Sequence, residues 1–356
     1  IQAVNWSPWH HRLHRTLLRN PALLPDQSRL LLAISGGQDS MALMTLLISL
    51  RRLHGWTLLI WHGDHNWHCA SDRIACELRD WCLDIGLPWH SDRADPNSVA
   101  TEATARQWRY EQLGRHAHNQ GCDVVTAHTA SDRAETQLLQ LARGTDLAGL
   151  GSLRAIRLLD SNDPEGAQLR RPLLSFTRSE TAQICSELQV PVWIDPSNSS
   201  TRPARNRIRH DVLPILEELY PGCSERMANF AERISHMQDT QTEITDLALE
   251  HLTTHNCLDR QKWKRLAVST REQLLARWLR REGGLVIQAK HLNKIGYLAH
   301  AKTGITIQLA DGWAIKVETN TILLDQENRQ PNNTKAFQDK NIETATSTLN
   351  TSSKKV

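Results

Sequence analysis

Apolar residues run unbroken from Leu30 to Ile34, as expected of a strand buried on both faces of a parallel sheet. A small and polar stretch follows, Ser35-Gly36-Gly37-Gln38-Asp39-Ser40, and then Met41, Leu43, Met44 and Leu47 recur at helical spacing. The segment therefore reads as strand, tight turn and helix. The same alternation continues: a strand over Thr57–His62 ending at Gly63-Asp64-His65, a helix over Ser71–Gly86, a strand over Leu87–Asp92, a long helix over Ser98–Gly121, a strand over Cys122–His128 and a helix over Ser131–Arg143. This β-α order predicts an α/β fold with a doubly wound parallel sheet, whose ligands sit at the carboxyl ends of the strands. Polar residues gather at three of those ends, at 35–40, at Asp64 and His65, and at 128–135, so three segments converge on one crevice.

Past Gly144 the pattern loosens. GTDLAGLGSL reads as a loop over the crevice, and a helix is expected over Ser179–Gln189. The segment WIDPSNSSTRPARNRIRHDVLPIL carries Pro203 and four arginines within eight positions, which suits a mobile, phosphate-facing loop feeding a helix at about Arg205. A solvated basic face is the plain alternative. From Cys223 to about His255, Met227, Phe230, Ile234 and Met237 mark a helix that links two domains. A smaller unit follows, with an amphipathic basic helix over Arg271–Arg281 and a β-hairpin over Gly304–Asp325 turning at Asp311-Gly312. From Glu327 onward polar residues dominate, and the tail reads as disordered.

Composition narrows the classes. A chain of 356 residues is long enough for two cores. Its net charge is only +3, so any nucleic-acid contact must come from local patches. No apolar run approaches the roughly twenty residues of a membrane span, so no membrane partner is expected. The first residues also lack the apolar core of a signal peptide, which points to the cytoplasm. Seven cysteines without a CxxC pair disfavour both a disulfide framework and the usual zinc spacings. His62, His65, His68 and Cys69 form a denser cluster; polar surface or nucleotide contacts are the plainer reading beside a metal site.

The candidate chemistry begins at the glycine turn. Gly36 and Gly37 allow close backbone approach to a ligand, and a helix starting at the turn aims its positive end at phosphate. The Walker lysine is absent, so the usual kinase or GTPase reading fails. The string Ser35 to Ser40 resembles the SGGxDS loop of the PP-loop, or N-type, ATP pyrophosphatases, with their adenine nucleotide alpha hydrolase-like fold. With it, DHNWHCASDRIACE, EATARQWRY, AHTASDRAETQLLQLARGT and DPSNSSTRPARNRIRHDVLPIL resemble, in order and spacing, the tRNA(Ile)-lysidine synthetase family, strongly over about residues 30–217. The resemblance implies ATP-dependent attachment of free L-lysine to C2 of the wobble cytidine of a tRNA(Ile) with a CAU anticodon, through an adenylylated cytidine, switching decoding from AUG to AUA. It implies ATP and Mg2+ held by Ser35, Gly36, Gly37, Gln38, Asp39, Ser40 and Asp64, with Asp39 as the metal ligand. Asp132 and Glu135 match the family's acidic pair, Arg106 and Arg109 its AR-x-x-RY element, and Arg205 and Arg209 its RN-x-IR element; Asp132, Glu135, Arg109 and Arg205 are the implied catalytic set. The expected division is a catalytic domain over 1–217, a helical linker over 218–256, a tRNA-binding domain over 257–326 and the tail over 327–356. A homodimer is one assembly the sequence allows.

Asp132 and Glu135, three apart on one helix, share a face and could bind and deprotonate lysine's ammonium. A solvated acidic first turn favoured by the helix dipole is the alternative. The chain departs from the family pattern in three places: Ser131-Asp132-Arg133 where Asp-Asp-Gln is usual, Gly63 with Asn66-Trp67 where Val and Gly-Leu are usual, and Gly144-Thr145-Asp146 where Gly-Thr-Gly is usual. Another tRNA-modifying PP-loop enzyme, such as a thiolase, is the nearest competing reading; a GMP synthetase-like ligase and a non-catalytic RNA-binding protein stand further off.

Overall fold

The computed structural model of the chain describes residues 6–67, 71–160, 163–193, 204–254, 257–285, 298 and 300–326. The disordered-tail reading, most of the loop expected over 194–203, and His68 with Cys69 lie outside the described residues. Two compact units divide within one long helix, at His236 and Met237.

In the first unit, helix α1 (Pro8–Arg19) precedes strand β1 (Arg29–Ala33), α2 (Gln38–His54), β2 (Thr57–Asp64), α3 (Ser71–Asp84), β3 (Trp89–Arg93), α4 (Glu102–Gln120), β4 (Asp123–Val125), α5 (Ala130–Arg143), the short α6 (Leu147–Leu150), β5 (Ile156–Leu158), β6 (Gln168–Arg170), α7 (Arg178–Glu187), α8 (Ala204–Arg207), α9 (Leu213–Leu219) and the start of α10 (Cys223–Leu252). The strand order is β3-β2-β1-β4-β6-β5. The first five are parallel, and β5 joins as an antiparallel edge that the apolar pattern did not reveal. Chain order reverses between β1 and β4, and ligand sites open at such switch points. The strand run at 30–34 was apolar at every position because both faces are covered. Leu30 and Leu32 enter one core with α1, α2, α3 and α7, while Leu31 enters the other with Leu59, Trp61 and Leu113 of α4.

The second unit holds the rest of α10, strands β7 (Thr253–Thr254) and β8 (Cys257–Asp259), helices α11 (Arg260–Lys264) and α12 (Val268–Gly283), and strands β9 (Thr306–Gln308), β10 (Trp313–Val317) and β11 (Thr321–Gln326). Its sheet order is β7-β8-β11-β10-β9, with every pairing antiparallel. The expected hairpin is therefore a three-strand meander. Asp311 and Gly312, both at positive φ, make its first turn, and a second turn follows β10. The basic helix is α12, with Trp278, Leu274, Leu275 and Leu279 in the core of this unit.

Candidate active site at the carboxyl ends of the parallel strands

The three expected strand ends deliver residues to one cavity of about 390 Å³. The turn after β1 supplies Ser35, Gly37, Gln38, Asp39 and Ser40; the end of β2 supplies Asp64 and His65; α4 supplies Arg109; and the β4–α5 turn supplies His128 and Asp132. The α8 stretch adds Arg205 and Arg209. Gly36 stands at φ +84, where a Cβ is strained, and its carbonyl accepts the Trp193 N–H at 2.9 Å. Gly37 caps α2, so the helix N-terminus faces the cavity without an acidic side chain closing it at that position. Ser40 is buried and donates to the Gly37 carbonyl at 2.8 Å, bracing the turn from inside. Gln38 does otherwise: its amide donates to the Arg178 carbonyl at 2.7 Å and to Thr181 at 3.2 Å, tying the turn to α7.

Asp39 accepts from Arg178 Nη1 at 2.6 Å and from the Thr181 hydroxyl. Burial pushes its carboxyl above the ordinary value, against the pull of Arg178. Arg178 had no signal in the sequence, because the two residues meet only when α7 packs against α2. Asp64, buried at the end of β2, accepts the Asn66 N–H at 2.7 Å and lies 3.5 Å from the Arg93 guanidinium. A carboxylate offers about four lone-pair sites. Asp39 and Asp64 therefore keep acceptor capacity for a hard cation or phosphate-bound metal, and the residues present fit Mg2+.

The acidic pair is where the structure redirects the sequence reading. Glu135 is wholly buried; its Oε1 accepts from Arg209 Nε at 2.6 Å and its Oε2 from Arg205 Nε at 2.7 Å. Asp132 uses Oδ2 on the Thr129 N–H and hydroxyl, at 2.8 and 2.9 Å, as the reciprocal half of an α5 capping box. Its Oδ1 accepts from Arg205 at 2.8 Å and Arg209 at 3.3 Å. Burial opposes ionisation of Asp132, but Arg205, the Thr129 N–H and Arg209 outweigh it and hold the carboxyl below its ordinary value. The two carboxylates are thus committed to two guanidinium groups rather than open to an ammonium, and only Asp132 of the pair lines the cavity. Arg205 and Arg209 reach them together because α8 runs into a π-helical turn over Ile208–Val212. Leu213 N–H reaches back to the Ile208 carbonyl, and Pro214 has no N–H for a regular continuation.

Arg109 places Nη2 3.0 Å from His65 Nε2, and its burial lowers its basicity from the ordinary value. His128 follows β4 and lines the cavity. Arg171 Nε donates to its Nδ1 at 3.3 Å, which puts the imidazole proton on Nε2, and burial with Arg171 lowers its pKa to about 3. His62 hydrogen-bonds the Ile34 carbonyl through Nδ1 at 2.8 Å and stacks on Trp89, a strut between strand ends. Among the described residues no group of three or more His, Cys, Asp or Glu is arranged to hold a metal by itself.

The departures from the family pattern now have physical accounts. A Cβ on Gly63 would lie 2.4 Å from the Trp61 ring, so the large indole here requires glycine two positions on. Arg133 is buried away from the cavity, donating to the Leu153 and Ala228 carbonyls and lying 3.7 Å from Glu232. It leaves the lining unchanged. Asp146 accepts the Gly149 N–H at 3.0 Å and caps α6. The glycine-rich segment was expected over the crevice, yet it forms α6 beside α5, and none of residues 144–153 lines the cavity.

With this geometry in hand, comparison with known proteins gives the class and then the family. The sequence model of the PP-loop domain matches residues 10–216. A tRNA(Ile)-lysidine synthase of Parasynechococcus marenigrum strain WH8102 is 55% identical over 323 residues, covering 90% of this chain and 96% of that one. One of Prochlorococcus marinus strain SARG is 43% identical, covering 82% and 88%. A U34-tRNA thiolase from Methanococcus maripaludis, solved with its [4Fe-4S] cluster, shares the fold at a TM-score of 0.55 and 16% identity, covering 64% of this chain and 78% of that one. The chain is a PP-loop protein that belongs to the tRNA(Ile)-lysidine synthase family.

Proposed function

We propose that the cavity uses ATP to activate the C2 oxygen of the wobble cytidine of tRNA(Ile) bearing CAU and then joins free L-lysine to that carbon. The observation that carries the reading is the convergence of the glycine turn, Asp39, Asp64, Arg109, Asp132 and Arg205 on one cavity in a chain 55% identical to a tRNA(Ile)-lysidine synthase. The cytosine C2 carbonyl oxygen attacks the α-phosphorus of ATP and pyrophosphate leaves. The lysine ε-amine then attacks C2, and the original oxygen departs with AMP. The backbone of 35–40 and the α2 N-terminus receive the departing phosphates. Asp39 and Asp64 would hold Mg2+, which supplies charge neutralisation on those phosphates.

Glu135 acts through the arginines it anchors. It fixes Arg205 and Arg209 at the cavity wall, where a fork of donors can meet an adenylate phosphate or the lysine carboxylate. Asp132, the member that lines the cavity, shares that anchoring role, its two oxygens being held by Thr129, Arg205 and Arg209, so lysine reacts there through an ε-amine that is already free. Freeing that amine near pH 7 costs about 4–5 kcal/mol for a reference pKa of about 10.4. The thiolase reading finds less support, because the relatives of high identity carry the lysidine synthase name. The test is AMP release from ATP with tRNA(Ile) bearing CAU, with and without lysine. Lysine-dependent AMP with labelled lysine retained on the tRNA is expected; AMP release indifferent to lysine overturns the reading.

A further inference from the structure

Trp67 stands at the cavity with 44% of its surface exposed, beside charged and polar groups that bond to one another. A lone exposed tryptophan is ordinary. This one is held at its edges. β2 ends at Asp64, whose Oδ1 accepts the Asn66 N–H at 2.7 Å, and Asn66 takes φ +55, the left-handed conformation that asparagine tolerates better than other side chains. Arg93 braces this turn by donating to Asn66 Oδ1 and pairing with Asp72. The indole N–H of Trp67 is satisfied by the Val99 carbonyl at 2.9 Å. Its ring meets His65 at 5.1 Å between centroids, and His65 is itself fixed by Arg109 and by Trp108 edge-on at 5.2 Å.

Every polar atom of the indole is spent inward, and a flat apolar ring is left in water at the rim of a polar cavity. Where the family pattern usually has leucine, this chain offers an aromatic face. A planar, uncharged, partly polar ligand suits such a face, and base–aromatic stacking is the commonest way proteins grip a base splayed from a single-stranded loop. We propose that Trp67 is the stacking platform for the target pyrimidine of the RNA. This rests on the tRNA-modifying reading of the same cavity.

The test compares wild type with Trp67→Ala, Trp67→Leu and Trp67→Phe, measuring KM for tRNA, KM for ATP, kcat, and tRNA binding to intact and wobble-abasic transcripts. Trp67→Ala and Trp67→Leu should raise the tRNA KM about tenfold, with ATP KM and kcat within about twofold, and Trp67→Phe should recover most of the loss. Abasic tRNA should bind wild type about tenfold more weakly than intact tRNA and should erase the difference between wild type and Trp67→Ala. An unchanged tRNA KM, a rise confined to ATP KM, or a Trp67→Ala loss that persists on abasic RNA overturns the proposal. Should a variant misfold, the abasic arm on wild type still decides: equal affinity for both transcripts overturns the platform. Failure of the broader reading is distinct, since wild type would then give no lysine-dependent AMP at all.

Discussion

The carboxyl end of the parallel sheet and helix α12 of the smaller unit carry the same kinds of residue, arginines beside tryptophans, and use them in opposite ways. At the sheet, Arg109, Arg205 and Arg209 line a cavity, Arg109 beside His65 and the other two held by Asp132 and Glu135. On α12, Trp278 is fully buried, Arg271 is nearly so, and Arg277 pairs with Asp246 of α10 through two bonds of 2.6 and 2.7 Å. The sequence reads α12 as an amphipathic basic helix of a tRNA-binding domain, with its arginines as phosphate contacts or, as the alternative, as the solvated outer face of a core-facing helix. In the fold its apolar face enters the core of the second unit, Arg277 and Arg281 pair with Asp246 and Glu282, and Arg280 is exposed. Charge density along a sequence becomes a binding surface only where tertiary packing leaves the charges pointed at open space.

The comparison can be broken most forcefully at the buried members of each region. Glu135→Ala removes the carboxylate that two guanidinium groups share, and breaking a buried pair costs about 3–5 kcal/mol. A marked fall in Tm together with lost turnover is expected; a variant with wild-type Tm would mean that Arg205 and Arg209 do not need this anchor. Trp278→Ala opens the core of the second unit at a similar cost of about 3–5 kcal/mol. Here the protein that remains folded should keep its ATP KM, and a loss of ATP binding matching the Glu135 variant would erase the contrast between the regions.

Asp39→Ala should lower turnover about 10²–10³-fold if, as proposed above, its carboxylate serves phosphate and metal. Far-UV circular dichroism should be unchanged, and wild-type AMP release by the folded variant would contradict its role. A graded effect that emerges only in acid belongs to His128. Its folded pKa of about 3 lies below the unfolded 6.5, so the unfolded chain binds more protons between those values. Stability is complete above about pH 6.5 and declines as pH falls toward 3, by up to roughly 1.4 kcal/mol per pH unit. Denaturant titrations across that window should show His128→Asn flattening the decline. Smallest of all, Arg277→Ala removes a half-exposed pair and should cost under about 1 kcal/mol. It should also leave the salt dependence of tRNA binding unaltered, whereas a reduced slope would restore α12 as a phosphate contact.

Strand β1, the glycine turn and α2 were legible because an unbroken apolar run, two glycines and a 3.6-residue period are each local consequences of backbone geometry and burial. So were α4, α5 and α12, whose ends fall within a few residues of expectation. Strands β5 and β6, three residues each, were not, since so short a segment shows no period and is a strand only by virtue of the ladder it joins. The sequence by itself determined the α/β order, the segments that meet at the sheet's carboxyl end, and, through resemblance, the family. Tertiary structure alone decided that Arg178 stands against Asp39, that Glu135 is spent on Arg205 and Arg209, that the glycine-rich segment avoids the cavity, and that Trp278 faces a core. The physical reason is range. Periodicity and turn chemistry act between neighbours along the chain, whereas the pairing of Asp39 with Arg178 spans 139 residues of separation and exists only after the helices have packed.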